Sequence, residues 1–227
     1  MNEVVELKTR KSHIWDRHPN NWYREPSWPT RLLCLELMDF LRVGFFDPCA
    51  GKGSTLTGGR EAGVPVTGAD LIDRGVSGIF TPMDFYAEEQ PEGLYPVPNI
   101  VCNPPYGAIP PESDLDFRGR DRMEDAFIDI ALDRVQEGGL VCVFLLTGWA
   151  TAETRSQWLE RMPLWREYKV TPRPSAPPGE VFEEYAAQGK DPSGGSKDYS
   201  YYVFMKGHTG PATIHWLRRG GKRDAQS

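Results

Sequence analysis

The sequence contains few cysteines, and they are not arranged to bind a metal. There are four, with no CxxC pair and no Cys/His cluster at the spacing of a zinc site. They are Cys34, Cys49, Cys102 and Cys142. We therefore expect reduced, mostly buried thiols, with neither a disulfide framework nor a metal site.

Long hydrophobic runs are also absent. The longest, from Leu140 to Leu146, is far shorter than the stretch of about 20 apolar residues that a membrane-spanning helix needs. The first residues do not combine a basic region with an apolar stretch, as a secretory signal would. We expect a cytoplasmic protein without a membrane partner.

The chain has no excess of positive charge. Its 26 Lys and Arg residues are outnumbered by 32 Asp and Glu residues, which gives a formal net charge of -6. This argues against a protein that wraps nucleic acid by electrostatic attraction alone, since binding to phosphates favours a basic surface. Basic residues outnumber acidic ones in the segment after residue 162, so we expect any nucleic-acid contact in the last third.

Length and composition predict a single globular domain with many loops. A chain of 227 residues, of which 39% are apolar, can bury a core without disulfides or metal. The 20 prolines and 23 glycines indicate an unusual share of turns. Disorder of the whole chain is excluded by this composition.

Apolar runs bounded by turn residues alternate along the chain with helical patterns. The runs show little polar alternation, which is typical of parallel strands covered on both faces. Strands are predicted before Asp47, Asp70 and Asn103, and over residues 140–146, 165–171 and 199–205; helices are predicted over 30–41, 54–62, 124–135 and 151–161. We expect an α/β fold, with a mostly parallel central sheet, an antiparallel terminal strand and helices on both faces.

Two segments are candidates for substrate contact. The connector between the last two predicted strands, residues 172–198, is rich in proline, glycine and serine and is too long for a hairpin turn. Loops of this length in compact domains usually bind something. The second segment contains Arg118, Arg120 and Arg122, which follow closely on the Asn-Pro-Pro-Tyr turn described below.

Acidic residues follow successive predicted strands, at the sheet edge where ligands bind in α/β folds. Asp47 opens a glycine-rich turn, in which glycine lets the backbone approach a ligand closely. The turn lacks the spacing of a phosphate-binding loop or a dinucleotide fingerprint, and its acidic residue suits a cationic group better than a pyrophosphate. Asp70, followed by Leu71, ends the next strand, where a carboxylate can bind both hydroxyls of a ribose.

Asp84 and Phe85 come one step further along the chain. The carboxylate can accept a hydrogen bond from an exocyclic amine, and the ring can cover a purine face. Taken together, these acidic positions suit an adenosine that carries a positively charged chain. The candidate cofactor-binding residues of this edge are Asp47, Pro48, Cys49, Ala50, Gly51, Gly53, Asp70, Leu71, Asp84 and Phe85.

Asn103, Pro104, Pro105 and Tyr106 are the candidate catalytic residues. The two prolines remove two N–H donors, so the turn presents acceptors, namely the Asn103 side-chain oxygen and the Pro104 carbonyl. Hydrogen bonds to these acceptors would pull an amine conjugated to a ring toward tetrahedral geometry and free its lone pair, so no strong base is required. The carbonyl dipoles would stabilise the positive charge that develops on nitrogen, and Tyr106 could stack on a base.

These residues resemble the amino-methyltransferase branch of the Rossmann-like S-adenosylmethionine-dependent enzymes. Asp47 to Gly53 is similar to the cofactor motif of that family, and Asn103 to Tyr106 is similar to the catalytic motif of its adenine-N6 methyltransferases. The motif order resembles that of small DNA adenine methyltransferases of bacteria and phages. The resemblance extends over about residues 28 to 150.

The resemblance implies S-adenosylmethionine as the cofactor and the N6 amino group of adenine in DNA as the methyl acceptor. It also implies that residues before the first strand, among them Thr30, contact the methionine end of the cofactor. We accordingly divide the chain into an amino-terminal extension (1–27), a catalytic domain (28–217) and a flexible tail (218–227).

Three alternatives remain open at this point. RNA could replace DNA, because the same turn would serve either nucleic acid. A protein glutamine-N5 methyltransferase would use a similar turn, since a side-chain amide also presents two N–H donors, although such enzymes usually carry a helical domain before the core. A non-catalytic binding subunit with the same fold is the third, and the intact motifs argue against it.

Overall fold

The computed structural model describes residues 24–177, 179–188 and 195–220. In these ranges the chain forms strands β1 (Phe45–Asp47), β2 (Val66–Ala69), β3 (Ile79–Phe80), β4 (Ile100–Cys102), β5 (Leu140–Leu146), β6 (Leu164–Thr171), β7 (Tyr199–Met205) and β8 (Thr213–Arg218). The helices are α1 (Trp28–Glu36), α2 (Met38–Leu41), α3 (Ser54–Glu61), α4 (Met123–Arg134), α5 (Glu153–Leu159) and α6 (Gly179–Ala187), with a 3₁₀ helix over Thr147–Thr151.

The strands form one sheet in the order β3-β2-β1-β4-β5-β7-β6-β8. The first five strands of that order are parallel to one another, and β6 and β8 are parallel as well. β7 is antiparallel to both of its neighbours, β5 and β6, and it lies inside the sheet rather than at its edge. The expected α/β class with a mostly parallel sheet is confirmed.

Each face of the sheet is covered by helices, which explains the continuous apolar runs of the strands. Along β5, Val141, Val143 and Leu145 contribute to a core shared with α4 and α5. The alternate positions of β5 face the opposite core, where they pack with residues of α1 and α3 such as Leu33 and Leu56. A strand that is buried on both faces has no solvent-exposed positions, so its sequence shows no alternation of polar and apolar residues.

Gly58 and Gly59 disfavour a helix by propensity, and the structure shows why α3 nevertheless contains them. A Cβ atom at Gly58 would lie 2.4 Å from the Ser27 carbonyl oxygen and 2.7 Å from Thr30 Cβ. At Gly59 it would lie 2.5 Å from a methyl carbon of Val66. The absence of both side chains therefore lets α3 approach α1 and the sheet more closely than any other residues would allow.

Several elements differ from those predicted. The helix expected over residues 30–41 is divided at Leu37 into α1 and α2, and the 172–198 connector contains α6. Two strands, β3 and β8, were not predicted, and Arg218, which we placed in a flexible tail, is the last residue of β8. Residues 1–23 of the expected extension and residues 221–227 of the expected tail lie outside the described residues.

None of the helices in the described part of the chain has the length and apolar character needed to cross a bilayer. Within the same residues, no group of three or more His, Cys, Asp or Glu side chains is arranged to hold a metal ion.

Candidate active site

The carboxyl ends of β1, β2 and β4 meet at one edge of the sheet, and the two predicted motifs lie there side by side. β1 is hydrogen-bonded to β2 on one side and to β4 on the other, all in parallel. The turn that begins at Asp47 follows β1, and the turn that begins at Asn103 follows β4. The sheet therefore brings together segments that are more than fifty residues apart in the chain.

The turn after β1 depends on glycine for its backbone conformation. Gly51 and Gly53 have φ values of 55° and 79°, in the left-handed region that glycine adopts most easily. The Ala50 N–H donates to the Ala69 carbonyl at 2.9 Å, which fixes the turn to the end of β2. Pro48 and Ala50 are buried, while Cys49 keeps partial exposure. The turn is thus held in a defined conformation at the sheet edge.

Asp47 is a buried carboxyl group, only 1% exposed. Its Oδ1 accepts the Cys49 N–H at 3.1 Å, which shapes the turn. Burial raises the pKa of Asp47 to about 8, and the nearby Glu25 carboxyl adds to the rise. A carboxyl group in this environment favours a cationic ligand, because a positive charge nearby would stabilise its ionised form.

Asp70 connects the two neighbouring turns. Its Oδ2 accepts the Gly51 N–H at 2.7 Å, and its Oδ1 accepts the Ile72 N–H at 2.9 Å. Asp70 itself is buried, whereas the Leu71 side chain beside it is 57% exposed. A polar group and an open apolar surface therefore lie next to each other at the end of β2.

Asp84 lies at the expected edge, but Phe85 faces the core. The Asp84 carboxylate accepts the Tyr86 N–H at 2.9 Å and is half-buried. The Phe85 ring is 2% exposed and packs 4.6 Å from the Phe127 ring, with the Arg134 guanidinium 4.7 Å from its centre. The ring leaves almost no surface for the purine face that we expected it to cover.

Asp47, Asp70 and Asp84 all act electrostatically on the thiol of Cys49, in the turn after β1. A hydrogen bond with Cys102 lowers the pKa of the Cys49 thiol, but burial and the carboxylates of Asp47, Asp70 and Asp84 outweigh it and raise that pKa. Electrostatic effects of this kind require short distances. The acidic residues at the ends of β1 and β2 and before Phe85 therefore lie near the Asp47 turn, where the buried Asp47 itself is mostly protonated at neutral pH.

The Asn103 turn is held by hydrogen bonds on both sides of its amide. On one side, the Tyr106 hydroxyl lies 2.8 Å from Asn103 Oδ1 and also lies against the Phe144 carbonyl of β5. Burial raises the pKa of Tyr106 well above its ordinary value, so the hydroxyl keeps its proton and donates. Pro104 is buried and Pro105 is partly exposed.

On the other side of the amide lies Glu25, which sequence reasoning missed. Glu25 Oε2 accepts the Asn103 Nδ2 at 2.7 Å, and Oε1 accepts the Thr55 hydroxyl at 3.0 Å. The carboxyl is 6% exposed, and burial raises its pKa. No spacing pattern links Glu25 to Asn103, 78 residues away, and we had placed it in an extension outside the catalytic domain.

Thr30 does not reach the open edge. It is fully buried in α1, and its hydroxyl lies 2.6 Å from the hydroxyl of Tyr201 on β7. Its role in the described structure is to join α1 to the sheet. Contact with a cofactor at this position would require another conformation.

The arginines expected to contact substrate are paired with carboxylates instead. Arg118 lies 2.8 Å from Asp133, and Arg120 lies 2.6 Å from Asp129, both on α4. Arg122 lies 2.9 Å from Glu124, whose other oxygen accepts the Gly107 N–H. The three positive charges are therefore largely neutralised, and the pairs fix the loop that follows the Asn103 turn to α4.

Described residues of the 172–198 connector, in contrast, pack beside the turn that begins at Asp47. Lys52 in that turn forms an ion pair with Glu183 of α6 at 3.3 Å. The Arg24 guanidinium lies 4.3 Å from the centre of the Phe182 ring, and the Arg24 N–H donates to the Pro177 carbonyl at 3.0 Å. The described part of the connector therefore lies next to the turn that begins at Asp47.

No known family profile matches the sequence, and no curated protein matches it. Solved structures match its fold. One is a protein of Listeria monocytogenes described as a class I S-adenosylmethionine-dependent methyltransferase, with 14% identity and a TM-score of 0.54, covering 83% of this chain and 62% of that one.

Two other matches are a protein of a restriction enzyme and a protein solved in complex with DNA. The M protein of the type I restriction enzyme EcoKI (EC 2.1.1.72) has 14% identity and a TM-score of 0.57, covering 89% of this chain and 50% of that protein. DrdV, solved as a complex with DNA, has 13% identity and a TM-score of 0.53, covering 86% of this chain and 28% of that one. This chain spans less than two thirds of the length of each of these three proteins. The fold is that of the Rossmann-like class I methyltransferases, as predicted.

Proposed function

We propose that this chain is an S-adenosylmethionine-dependent methyltransferase that acts on the exocyclic N6 amino group of adenine in DNA. The observation that carries the proposal is the position of the Asp47 turn beside the Asn103 turn, on neighbouring parallel strands. A cofactor in the first turn and an amine at the second would meet at one edge of the sheet. Such placement replaces a chance encounter by a fixed geometry.

The residues around the first turn fit the cofactor. Asp47, Asp70 and Asp84 all act on the Cys49 thiol in that turn, and a ligand with an ammonium and a sulfonium group would favour the ionised form of the buried Asp47. Asp70 uses its oxygens for backbone N–H groups, yet each oxygen has a further lone pair that a ribose hydroxyl can use. The exposed Leu71 offers an apolar surface for the purine. When bound, S-adenosylmethionine supplies an electrophilic methyl group.

The second turn would prepare the amine. Asn103 Oδ1 and the Pro104 carbonyl would accept its two N–H groups, which makes the lone pair available for the methyl carbon. Methyl transfer would form a bond from the amine nitrogen to the methyl carbon while the bond from sulfur to that carbon breaks, and the nitrogen would afterwards release a proton to water. The fixed carbonyl dipoles would stabilise the positive charge on nitrogen before the proton leaves.

Support for DNA comes from the proteins of similar fold. The M protein of EcoKI belongs to a restriction enzyme, and DrdV was solved with DNA bound. The arginines near the Asn103 turn add no support, because carboxylates already neutralise them.

The test is transfer of a labelled methyl group from S-adenosylmethionine to separate substrates, followed by mass spectrometry of the products. Duplex DNA, single-stranded DNA, RNA and a protein mixture would be compared, with the Asn103→Ala variant as the negative control. We expect N6-methyladenine in DNA. Label on cytosine N4, on RNA alone or on glutamine would overturn the substrate assignment. Tight cofactor binding with no transfer to any substrate would favour a non-catalytic subunit.

A further inference from the structure

We propose that Glu25 is a positioning residue that determines which side of the Asn103 amide faces the substrate. The inference rests on the proposed function, because it concerns the amide to which the acceptor amine would bind. It extends the site to a residue that belongs to neither of the two motifs.

The segment that carries Glu25 is fixed in place by several contacts. Arg24 Nε donates to the Ser54 hydroxyl at 3.1 Å, at the start of α3. The Ser27 hydroxyl lies 3.2 Å from a carboxylate oxygen of Glu61, at the end of the same helix. Between these contacts the Glu25 side chain enters the protein and reaches Asn103. Glu25 is therefore held in a defined position and is not a surface carboxylate that meets the amide by chance.

An amide side chain can be rotated by half a turn at little steric cost, so its partners must select one orientation. Tyr106 cannot do this alone, because a hydroxyl can either donate to Asn103 Oδ1 or accept from Nδ2. An ionised Glu25 carboxylate can only accept hydrogen bonds. It therefore requires the Nδ2 group on its side and leaves Oδ1 on the side of Tyr106.

The orientation matters because an amine needs acceptors. With Nδ2 turned toward the substrate, two donor groups would face each other, and the acceptor that the proposed chemistry needs would be lost. The charge of Glu25 has a second effect, since a hydrogen bond from Nδ2 to an anion increases the electron density on Oδ1. Oδ1 then becomes a better acceptor for an amine that is gaining positive charge.

Burial raises the pKa of Glu25, which works against the charged form that this role needs. Hydrogen bonds from the Glu25 backbone, Asn103 and Thr55, and the positive charge of Arg24, act in the opposite direction. The contacts around the carboxyl are thus those that favour its ionised form.

The first test measures methyl transfer and cofactor binding in the Glu25→Gln variant, which preserves the shape of the side chain. The loss of one charged hydrogen bond predicts a kcat about 10- to 100-fold lower. Cofactor affinity and Tm should stay close to those of the parent protein. The matched control is Glu61→Gln, which removes an exposed charge beside the same segment but keeps an oxygen that can accept the Ser27 hydroxyl, so kcat should be unchanged. Equal losses of kcat, cofactor affinity and Tm in Glu25→Gln would indicate a merely structural role and overturn the proposal.

The second test does not depend on activity. The side-chain amide resonances of Asn103 can be identified in a ¹⁵N–¹H NMR spectrum by their loss in Asn103→Ala. We expect one Nδ2 proton to be shifted downfield in the parent protein and to move upfield in Glu25→Gln. Unchanged resonances would overturn the positioning role even if methyl transfer is confirmed. Conversely, the expected shift without methyl transfer to any substrate would leave the contact established and refute the proposed function alone.

Discussion

Replacing Tyr106 separates the role of its hydroxyl from that of its ring. In Tyr106→Phe the ring stays, while Asn103 Oδ1 and the Phe144 carbonyl lose their shared donor. Leaving buried acceptors without a partner costs about 1–2 kcal/mol of unfolding free energy. For a chain of this size that corresponds to a Tm about 2–8 °C lower. Because Glu25 still orients the amide, we expect kcat to fall by no more than about tenfold.

In Tyr106→Ala the ring is removed as well. If the ring stacks on the target base, this variant should lose a further contribution of about 1–3 kcal/mol. The loss should appear as a higher KM for DNA than in Tyr106→Phe, with cofactor affinity unchanged in both. Steady-state kinetics with duplex DNA and calorimetric titration of the cofactor measure the two quantities.

Tyr202→Phe is the matched control for these variants. Its buried hydroxyl donates to the Thr147 carbonyl at 2.8 Å, so its removal costs a similar hydrogen bond away from the Asn103 turn. We expect a comparable fall in Tm and unchanged methyl transfer. Identical KM values for DNA in Tyr106→Phe and Tyr106→Ala would refute the stacking role, and a loss of transfer in Tyr202→Phe would refute the assignment of the effect to the site.

Further predictions concern the aspartates at the ends of β1 and β2 and the packing of α3. Asp70→Asn places an N–H₂ group where the Gly51 and Ile72 N–H groups need acceptors, so we expect cofactor affinity to fall about tenfold, measured by calorimetry. Burial holds the pKa of Asp47 at about 8, above its unfolded value of about 4, so the stability from its protonated form is complete below about pH 4 and is lost as pH rises from there to about 8. Denaturant unfolding at several pH values should show that Asp47→Asn removes this fall in unfolding free energy. An unchanged pH profile in the variant would contradict the assignment to Asp47. Gly58→Ala should lower Tm strongly because its Cβ would overlap the Ser27 carbonyl, whereas Gly148→Ala, where the space is open, should not.

The parts of the fold that sequence could predict are those whose pattern depends on burial alone. β5 and β7 have the predicted bounds, Leu140–Leu146 and Tyr199–Met205, because each is buried along most of its length and reads as an apolar run. β3 has two residues, too few for any periodicity, and β8 exposes Ile214 and Trp216 at the sheet edge, so its apolar residues do not mark a core. Such strands are defined by their neighbours in the sheet and not by their own sequence.

The same distinction applies to the site. The placement of Asp47 and Asp70 at one edge of the sheet could be predicted, because strand ends in a parallel sheet share an edge. The sequence could not predict which of these side chains would be hydrogen-bonded or ion-paired within the protein, because this depends on contacts between distant segments. Phe85 was predicted to face the ligand from its place after Asp84, yet in the turn that follows Asp84 its ring packs into the core beside Phe127.

The Asn103 amide illustrates why a short motif is not a complete description of a catalytic site. The Asn-Pro-Pro-Tyr sequence fixes the turn and supplies one partner of the amide, Tyr106, but a hydroxyl on one side is compatible with either orientation of the amide. The carboxylate on the other side removes this ambiguity, and it comes from a segment before α1 that is also hydrogen-bonded to Thr55 of α3. The acceptor geometry therefore depends on the packing of residues 24–27 as much as on the turn itself. Substitutions that loosen this packing, such as Gly58→Ala, should for this reason reduce methyl transfer more than their effect on Tm alone would explain.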